Sequence, residues 1–295
     1  MLGRPMSRRR CGRVGQGFAP PALRRRLLSG AITAVAIGAS WGSVGQSPSA
    51  AASTGTRVAG PAGGAGRWNL TFDDEFTGSR SSLRYWSTCY DWACTNAGNY
   101  ELEWYQGKNV SLSRQGLLLT ARVQQAHDKP YTSGMIQSNR RYIFRYGFAE
   151  ARAKVPAGNG LWSAFWLLPS SQSWPPEIDV MEIYGSSPTV VAMTVHYGSD
   201  QSTEQQFVGP NYSAGYHTFG VDWEPGSISW YIDGALRQRV VISINTPMYL
   251  LATLAIQGIV PPTPATRFPS AMAIQWIRVF QHPKAGSEPS PGSSS

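Results

Sequence analysis

The sequence predicts an all-β protein of two stacked antiparallel sheets, with one face free to curve around a ligand. Residues 116–122, 146–155 and 228–232 are strand-length segments in which apolar residues alternate or run together. Asp233-Gly234 follows the last of these segments and is a strong signal for a tight hairpin. Aromatic residues make up 12% of the chain, and 31 Gly and 21 Pro supply turns, which favours short strands over a helical bundle.

Three more strands are expected at residues 237–242, 248–256 and 273–280. Residues 67–281 contain neither a repeat nor a second linker, so they predict a single domain. Residues 53–66 are expected to be a flexible linker of small residues, and residues 282–295 a disordered tail rich in Pro, Ser and Gly.

The first 52 residues have the pattern of a signal peptide. A basic stretch ending in Arg24-Arg25-Arg26 precedes the uncharged run Leu27–Ala39, and Ala50-Ala51-Ala52 offers a small-residue cleavage site. The arginines loosely resemble a twin-arginine leader. The run is too short to span a bilayer comfortably, although a permanent N-terminal anchor is the alternative. The sequence therefore predicts a secreted, monomeric protein with no membrane association after signal removal.

The formal charge of +9 is mostly a property of this leader. Eight of the 26 basic residues lie in residues 1–52, and no acidic residue precedes Asp73. The rest of the chain has 18 basic and 17 acidic residues. Because no basic stripe remains there, nucleic-acid binding loses its main electrostatic support.

Cysteine usage agrees with export. Cys11 is in the leader, and Cys89 and Cys94 remain as a pair five positions apart. In an exported protein such a pair is expected to form a disulfide, with two free thiols as the alternative. A zinc site would need more Cys or His at ligand spacing, and the four His are scattered.

The most informative segment places Glu177, Asp179 and Glu182 among apolar residues with no cation between them. Residues two apart in a strand share a face, so Glu177 and Asp179 should point the same way. Glu182 should point to the opposite face unless a β-bulge adds one residue. With that bulge all three acids share a face, and Ile178 and Val180 point to the core.

Three acids on one face repel each other, so at least one pKa should rise. A nucleophile and a general acid are the pair that retaining glycoside hydrolysis requires. The middle Asp could hydrogen-bond the nucleophile and share a proton. A solvated acidic face or a calcium site are the alternatives.

Glu-Ile-Asp-Val-Met-Glu resembles the E-x-D-x-x-E signature of family 16 glycoside hydrolases, in their bulged, laminarinase-like branch. Tyr100-Glu-Leu-Glu-Trp-Tyr105 is similar to the family's N-E-L-Q-x-Y. Other matching segments are residues 72–76, 131–134, 146–152, 160–166, 195–198, 217–223 and 230–234. This resemblance implies a β-jelly-roll with a concave substrate cleft. It also implies that Glu177 is the nucleophile, Glu182 the general acid/base and Asp179 their assistant.

Aromatic residues are candidates for stacking on the apolar faces of sugar rings. The resemblance places Trp162, Trp166 and Trp174 along the cleft, with His196 as a cleft histidine that could bind Asp179 or the sugar. Tyr105 is a further candidate. The alternatives are a core position for each Trp and a structural role for the histidine. Core positions are expected for three other residues, Trp223, Trp230 and Trp276.

Some positions depart from the family pattern. Thr253 and Gln257 replace the common Asn and Gly, which affects one cleft wall and the choice of substrate. Gln275 stands where many members have an acidic residue that helps to bind a structural calcium. Because an amide lacks the charge that favours a hard cation, neither calcium nor another cofactor is expected.

The resemblance predicts a secreted enzyme, a retaining endo-β-glucanase acting on β-1,3 or mixed β-1,3/1,4 glucan. The nearly balanced charge after residue 52 suits a neutral polysaccharide. A glycanase or transglycosylase for another polysaccharide, such as a bacterial exopolysaccharide or galactan, is an alternative. An inactive carbohydrate-binding module is another, although it would usually have lost one of the three acids.

Overall fold

A computed structural model of the chain describes residues 60–77 and 80–283. The predicted signal peptide, residues 53–59 of the predicted linker and residues 284–295 of the predicted tail lie outside these residues. In the described part there is no helix long and apolar enough to cross a membrane. Its helices are three short 3-10 turns, Arg80–Tyr85, Ala97–Asn99 and Gly107–Asn109.

Strands dominate this part of the chain. They are β1 (Asn69–Asp74), β2 (Glu103–Tyr105), β3 (Val110–Ser113), β4 (Gly116–Ala126), β5 (Lys129–Ser133), β6 (Met135–Gln137), β7 (Gly147–Lys154), β8 (Leu161–Pro169), β9 (Glu177–Tyr184), β10 (Val190–Gly198), β11 (Gln201–Val208), β12 (His217–Glu224), β13 (Ser227–Ile232), β14 (Ala235–Val241), β15 (Met248–Ile256) and β16 (Ser270–Gln281). The prediction of an all-β protein is confirmed.

The strands form two sheets. A ten-stranded sheet has the order β14-β13-β12-β7-β16-β4-β5-β2, with β1 on β16 and β3 on β4. A six-stranded sheet has the order β11-β10-β9-β8-β15-β6. The main core packs Ile178 and Met193 of the smaller sheet with Phe219 and Ile277 of the larger one. We call the other side of the six-stranded sheet its open face.

The hairpin prediction is confirmed, because Asp233 and Gly234 connect β13 to the antiparallel β14. Both residues have positive φ, 50° and 77°, as a type I′ turn requires. Trp223 and Trp230 are fully buried, as predicted. The prediction for Trp276 is wrong: it is only half-buried, with the Arg278 guanidinium 4.3 Å from its ring centroid.

Part of the open face is covered by residues 89–105, which we call the wall segment. It begins with the predicted disulfide between Cys89 and Cys94, whose Cα atoms are 4.5 Å apart. A second apolar cluster lies between this segment and the sheet. It comprises Tyr90, Tyr105, Met135, Ala164, Trp166, Leu168, Tyr249 and Leu251, with Trp92, Cys94 and Trp174 packed against it.

Residues 60–66 belong to the predicted flexible linker. In the structure, the Ala62 backbone N–H donates to Glu150 Oε2 at 3.0 Å. Gly63, with φ of 85°, lies so close to the Gly234 carbonyl that a β-carbon there would be 2.2 Å from its oxygen. This part of the predicted linker therefore packs against the β7 strand and the β13–β14 turn.

Candidate active site

Strand β9 brings the three predicted acids to the open face. On β8, Phe165 pairs with Met181 and the next residue, Trp166, pairs with Asp179. Val180 is thus an extra residue on β9, and the predicted β-bulge is confirmed. Ile178 and Val180 are buried in the core between the sheets. A one-residue bulge is therefore enough to place Glu182 on the same face as Glu177.

Two indole groups and one imidazole engage the acids. The Trp174 indole N–H donates to Glu177 Oε2 at 2.6 Å, and the Trp162 indole N–H donates to Glu182 Oε1 at 3.1 Å. His196 Nε2 lies 3.3 Å from Asp179 Oδ2. Trp174, Trp162 and His196 thus lie next to the acids, and their predicted role in binding sugar stays a prediction.

Several neighbouring groups shift the pKa of Glu177. Burial raises the pKa of Glu177 well above its ordinary value, and the Asp179 carboxylate raises it further. The opposing influences are the nearby His196 and the hydrogen bond from Trp174. The site is thus built around a carboxyl group whose ionisation depends on its neighbours.

Ligand atoms of Glu177, Asp179 and His196 lie within 4.8 Å of one another. In residues 60–77 and 80–283, no other trio of His, Cys, Asp and Glu is close enough to hold a metal ion. Gln275, at the position considered for calcium, accepts a 2.7 Å hydrogen bond from Arg152 Nε. A guanidinium at this amide oxygen disfavours a cation there.

The aromatic candidates differ in access to the open face. Trp174 is half-buried, with its ring 5.9 Å from that of His196. Trp162 is also half-buried and stacks on Tyr184 at 5.4 Å. Both present surface that a sugar ring could contact.

Trp166 and Tyr105 are placed differently. Trp166 is 6% exposed and packs edge-on against Tyr90, whereas Tyr105 has no exposed surface. Tyr105 is the last residue of the wall segment, and its buried ring packs edge-on against Tyr90. It cannot stack on a sugar, which corrects the prediction that Tyr105 contacts the substrate. Trp166 can contact a sugar with at most one edge of its ring.

Sequence reasoning missed the aromatic residues of the wall segment. Tyr90 and Trp92 stack in parallel, with ring centroids 4.6 Å apart and an interplanar angle of 4°. Tyr90 is close enough to Glu177 for that carboxylate to raise the pKa of its hydroxyl. The available signal was two aromatic residues inside the predicted Cys89–Cys94 loop.

Residues 96–277 match the family model described as glycosyl hydrolases family 16. The chain belongs to this family. Its fold is the family's β-jelly-roll. The endo-β-1,3-glucanase of Pyrococcus furiosus is 31% identical, with a TM-score of 0.67 over 72% of this chain and 94% of that one. The laminarinase catalytic domain of Thermotoga maritima is 28% identical, with a TM-score of 0.68 over 73% of this chain and 98% of that one.

Among curated family 16 relatives, the endo-1,3-1,4-β-glycanase EglC of Rhizobium meliloti is 33% identical over 239 residues. That match covers 71% of this chain and 51% of the relative. Glucan endo-1,3-β-glucosidase A1 of Niallia circulans is 30% identical, over 72% of this chain and 38% of the relative. The chain thus spans about half of the length of the first relative and 38% of the second.

Proposed function

We propose that this protein is a secreted, retaining endo-β-glucanase that cleaves β-1,3 bonds in β-1,3 or mixed β-1,3/1,4 glucan. The observation that carries the proposal is the bulged strand β9, which sets Glu177, Asp179 and Glu182 on one face with hydrogen bonds from Trp174 and Trp162. The similarity to proteins named as β-1,3-glucanases and β-1,3-1,4-glycanases supports the substrate class.

In the first step, a Glu177 oxygen attacks the anomeric carbon while the glycosidic C–O bond breaks. Glu182 transfers its proton to the departing sugar oxygen. In the second step, a water oxygen attacks the same carbon, Glu182 accepts the water proton, and Glu177 is released as a carboxylate. Two inversions at one carbon give net retention.

Neighbouring groups keep Glu177 ready for this sequence. The Trp174 N–H stabilises the carboxylate form before attack, because it donates to an oxygen of Glu177. Asp179 raises the pKa of Glu177, and His196, 3.3 Å from Asp179, opposes that influence. Asp179 therefore adjusts the charge of the nucleophile without attacking the sugar itself.

The remaining features follow from this reading. The enzyme would act as a monomer and without a cofactor. The hydrogen bond from Arg152 to Gln275 supports the absence of calcium at the position considered for it. Residues 1–52 would direct export, with removal of the signal checked by N-terminal sequencing of the secreted protein. A sugar chain would lie on the open face beside the wall segment and contact Trp162 and Trp174.

Product analysis on laminarin, lichenan, curdlan and a β-1,4 glucan tests this function, with Glu177→Gln as the inactive control. We expect short oligosaccharides from laminarin with the wild type and none with the variant. NMR of the first products should show the β-anomer. An initial α-anomer would contradict the retaining mechanism.

Release from none of the four glucans would refute the substrate class. The bacterial exopolysaccharide, galactan, transglycosylase and binding-only alternatives would then be tested with sugar acceptors and binding assays. A solved structure at 26% identity, with a TM-score of 0.66, is described in terms of endo-acting O-glycanases that initiate mucin breakdown. Mucin O-glycans should therefore be tested among the alternative substrates.

A further inference from the structure

Two buried carboxyl groups belong to the wall segment itself, and the mechanism above does not use them. Glu101 is 2% exposed and Glu103 is fully buried. Because they are two residues apart in an extended segment, they point to the same side, as does the fully buried Tyr105. Burying two acids together is costly unless they are neutralised or hydrogen-bonded.

Their hydrogen bonds link the wall segment to strand β15. Glu101 Oε2 accepts from the Asn96 backbone N–H at 2.9 Å, and Glu101 Oε1 accepts from the Tyr90 hydroxyl at 3.4 Å. Glu103 Oε2 accepts from the Ile256 backbone N–H at 2.8 Å. The two carboxyl groups are therefore anchored from opposite sides, one by the wall segment and the other by the sheet.

The surroundings of the pair favour protonated, neutral carboxyl groups, because two buried carboxylates only two residues apart would repel each other. Glu103 Oε1 is a buried oxygen with no hydrogen-bond partner in the described part of the chain. There, neither carboxyl group forms a salt bridge, and the Lys129 ammonium donates to the Glu101 backbone carbonyl at 2.7 Å.

Electrostatics agree with a retained proton. Burial raises the pKa of Glu101 well above its ordinary value, and the neighbouring Glu103 raises it further. Burial raises the pKa of Glu103 to about 7. The other ionisable groups facing the pair are Tyr90 and Tyr105, which stay neutral because burial raises the pKa of both hydroxyls.

The pair is connected to the reaction through Tyr90. Its hydroxyl donates to Glu101, while its ring stacks on Trp92 and packs edge-on against Trp166. Glu177 is among the charges that act on the same hydroxyl. Tyr90 therefore contacts the buried pair and lies within electrostatic range of the proposed nucleophile.

We propose that Glu101 and Glu103 are a positioning pair, whose protonated, neutral carboxyl groups fix Tyr90 of the wall segment, with Trp92 stacked on it, near Glu177. The wall segment is then firmly closed at mildly acidic pH. It loosens when Glu103 ionises, because the pair then holds an uncompensated buried charge. The part of this inference that concerns substrate rests on the proposed function.

The sign of the pH effect is fixed by the two states of Glu103. When the wall segment is open and solvated, this carboxyl group has an ordinary pKa near 4.5, and when closed its pKa is about 7. Between these values the closed form binds more protons, so closure weakens as pH rises, by up to about tenfold per pH unit. Above pH 7 the stabilisation is lost, and below pH 4.5 it is fully present.

Hydrogen–deuterium exchange of residues 89–105 between pH 5 and 8 tests the closure without any substrate. After correction for intrinsic exchange, the wild-type opening constant should rise by about tenfold per pH unit up to pH 7. Glu103→Gln should reduce this dependence, because it keeps the shape and removes one of the two titrating carboxyl groups. An unchanged dependence in Glu103→Gln would overturn the proposal.

Glu150→Gln is the matched control. Glu150 is 2% exposed, and burial raises its pKa to about 7 as well, but its carboxylate binds the Ala62 backbone on the ten-stranded sheet. This variant should change the pH dependence of global stability and leave exchange in the wall segment as in the wild type. If Glu103→Gln and Glu150→Gln change exchange in residues 89–105 equally, the pair affects only global stability and the positioning role is refuted.

A binding measurement completes the test. In a Glu177→Gln background, the Kd of laminaritetraose should rise by about tenfold from pH 6 to 8, and Glu103→Gln should reduce that rise. Tyr90→Phe should weaken binding at pH 6, because it breaks only the link to Glu101. A Kd that rises with pH as steeply in Glu103→Gln as without this substitution would refute the positioning role. If laminaritetraose does not bind at any pH but the exchange result is as expected, the β-glucan substrate is refuted and the positioning pair is not.

Discussion

The hydrogen bond from Trp174 to Glu177 gives the most quantitative prediction. Trp174→Phe keeps an aromatic ring and removes the indole N–H that donates to Glu177 Oε2 at 2.6 Å. A hydrogen bond to a charged group contributes about 1.5–3 kcal/mol, and the lower end applies here because both side chains are half-buried. About 1.4 kcal/mol corresponds to one pKa unit.

Because this hydrogen bond lowers the pKa of Glu177, its loss should raise that pKa by about one unit. The nucleophile must be ionised, so the acidic limb of kcat/KM on laminarin should move to higher pH by the same amount. Activity should fall by about tenfold on the acidic side and change little on the plateau. The assay is initial-rate kinetics between pH 3.5 and 8.

Trp92→Phe is the control for ring size. Trp92 packs against the same apolar cluster as Trp174, but its indole N–H has no hydrogen-bond partner in the described residues. The acidic limb of kcat/KM for Trp92→Phe should stay at the pH of the wild type. A limb that does not move in Trp174→Phe, or moves equally in Trp92→Phe, would refute the assignment of this hydrogen bond.

Three further predictions concern the acids and the disulfide. Asp179→Asn should shift the acidic limb to lower pH, because it removes a charge that raises the pKa of Glu177; a shift to higher pH contradicts this. Glu182→Ala should lose most activity on glucan and least on activated aryl glycosides, and equal losses would remove its acid/base role. Replacing both Cys89 and Cys94 by Ser should lower the free energy of unfolding by about 2 kcal/mol in urea titrations, and an unchanged value would show that the loop adds no stability.

Much of the strand framework was predictable, because its signals are local. Asp233-Gly234 needs positive φ at both positions, which few other residue pairs adopt without strain. The β9 bulge was predictable for a similar reason: Ile178 and Val180 must face the core, and only an extra residue reconciles them with Glu182 on the open face.

The positions of the aromatic candidates were less predictable, because they depend on contacts between distant segments. Trp166 and Tyr105 are buried by packing between the wall segment and strands β8 and β15, about 60 and 145 residues apart in sequence. Alternation assigned a face to each residue and gave no account of what covers that face. The same limit applies to Glu101 and Glu103, whose burial needs Ile256 and Asn96.

The most direct test of the account is to trap the glycosyl-enzyme intermediate. Incubation with an activated 2-deoxy-2-fluoro laminaribioside should leave one disaccharide on the protein, because the fluorine slows hydrolysis of the covalent intermediate. Mass spectrometry of the digested protein should locate the sugar on Glu177. A label on another residue would contradict the central claim, and so would turnover without a label together with an inverted product.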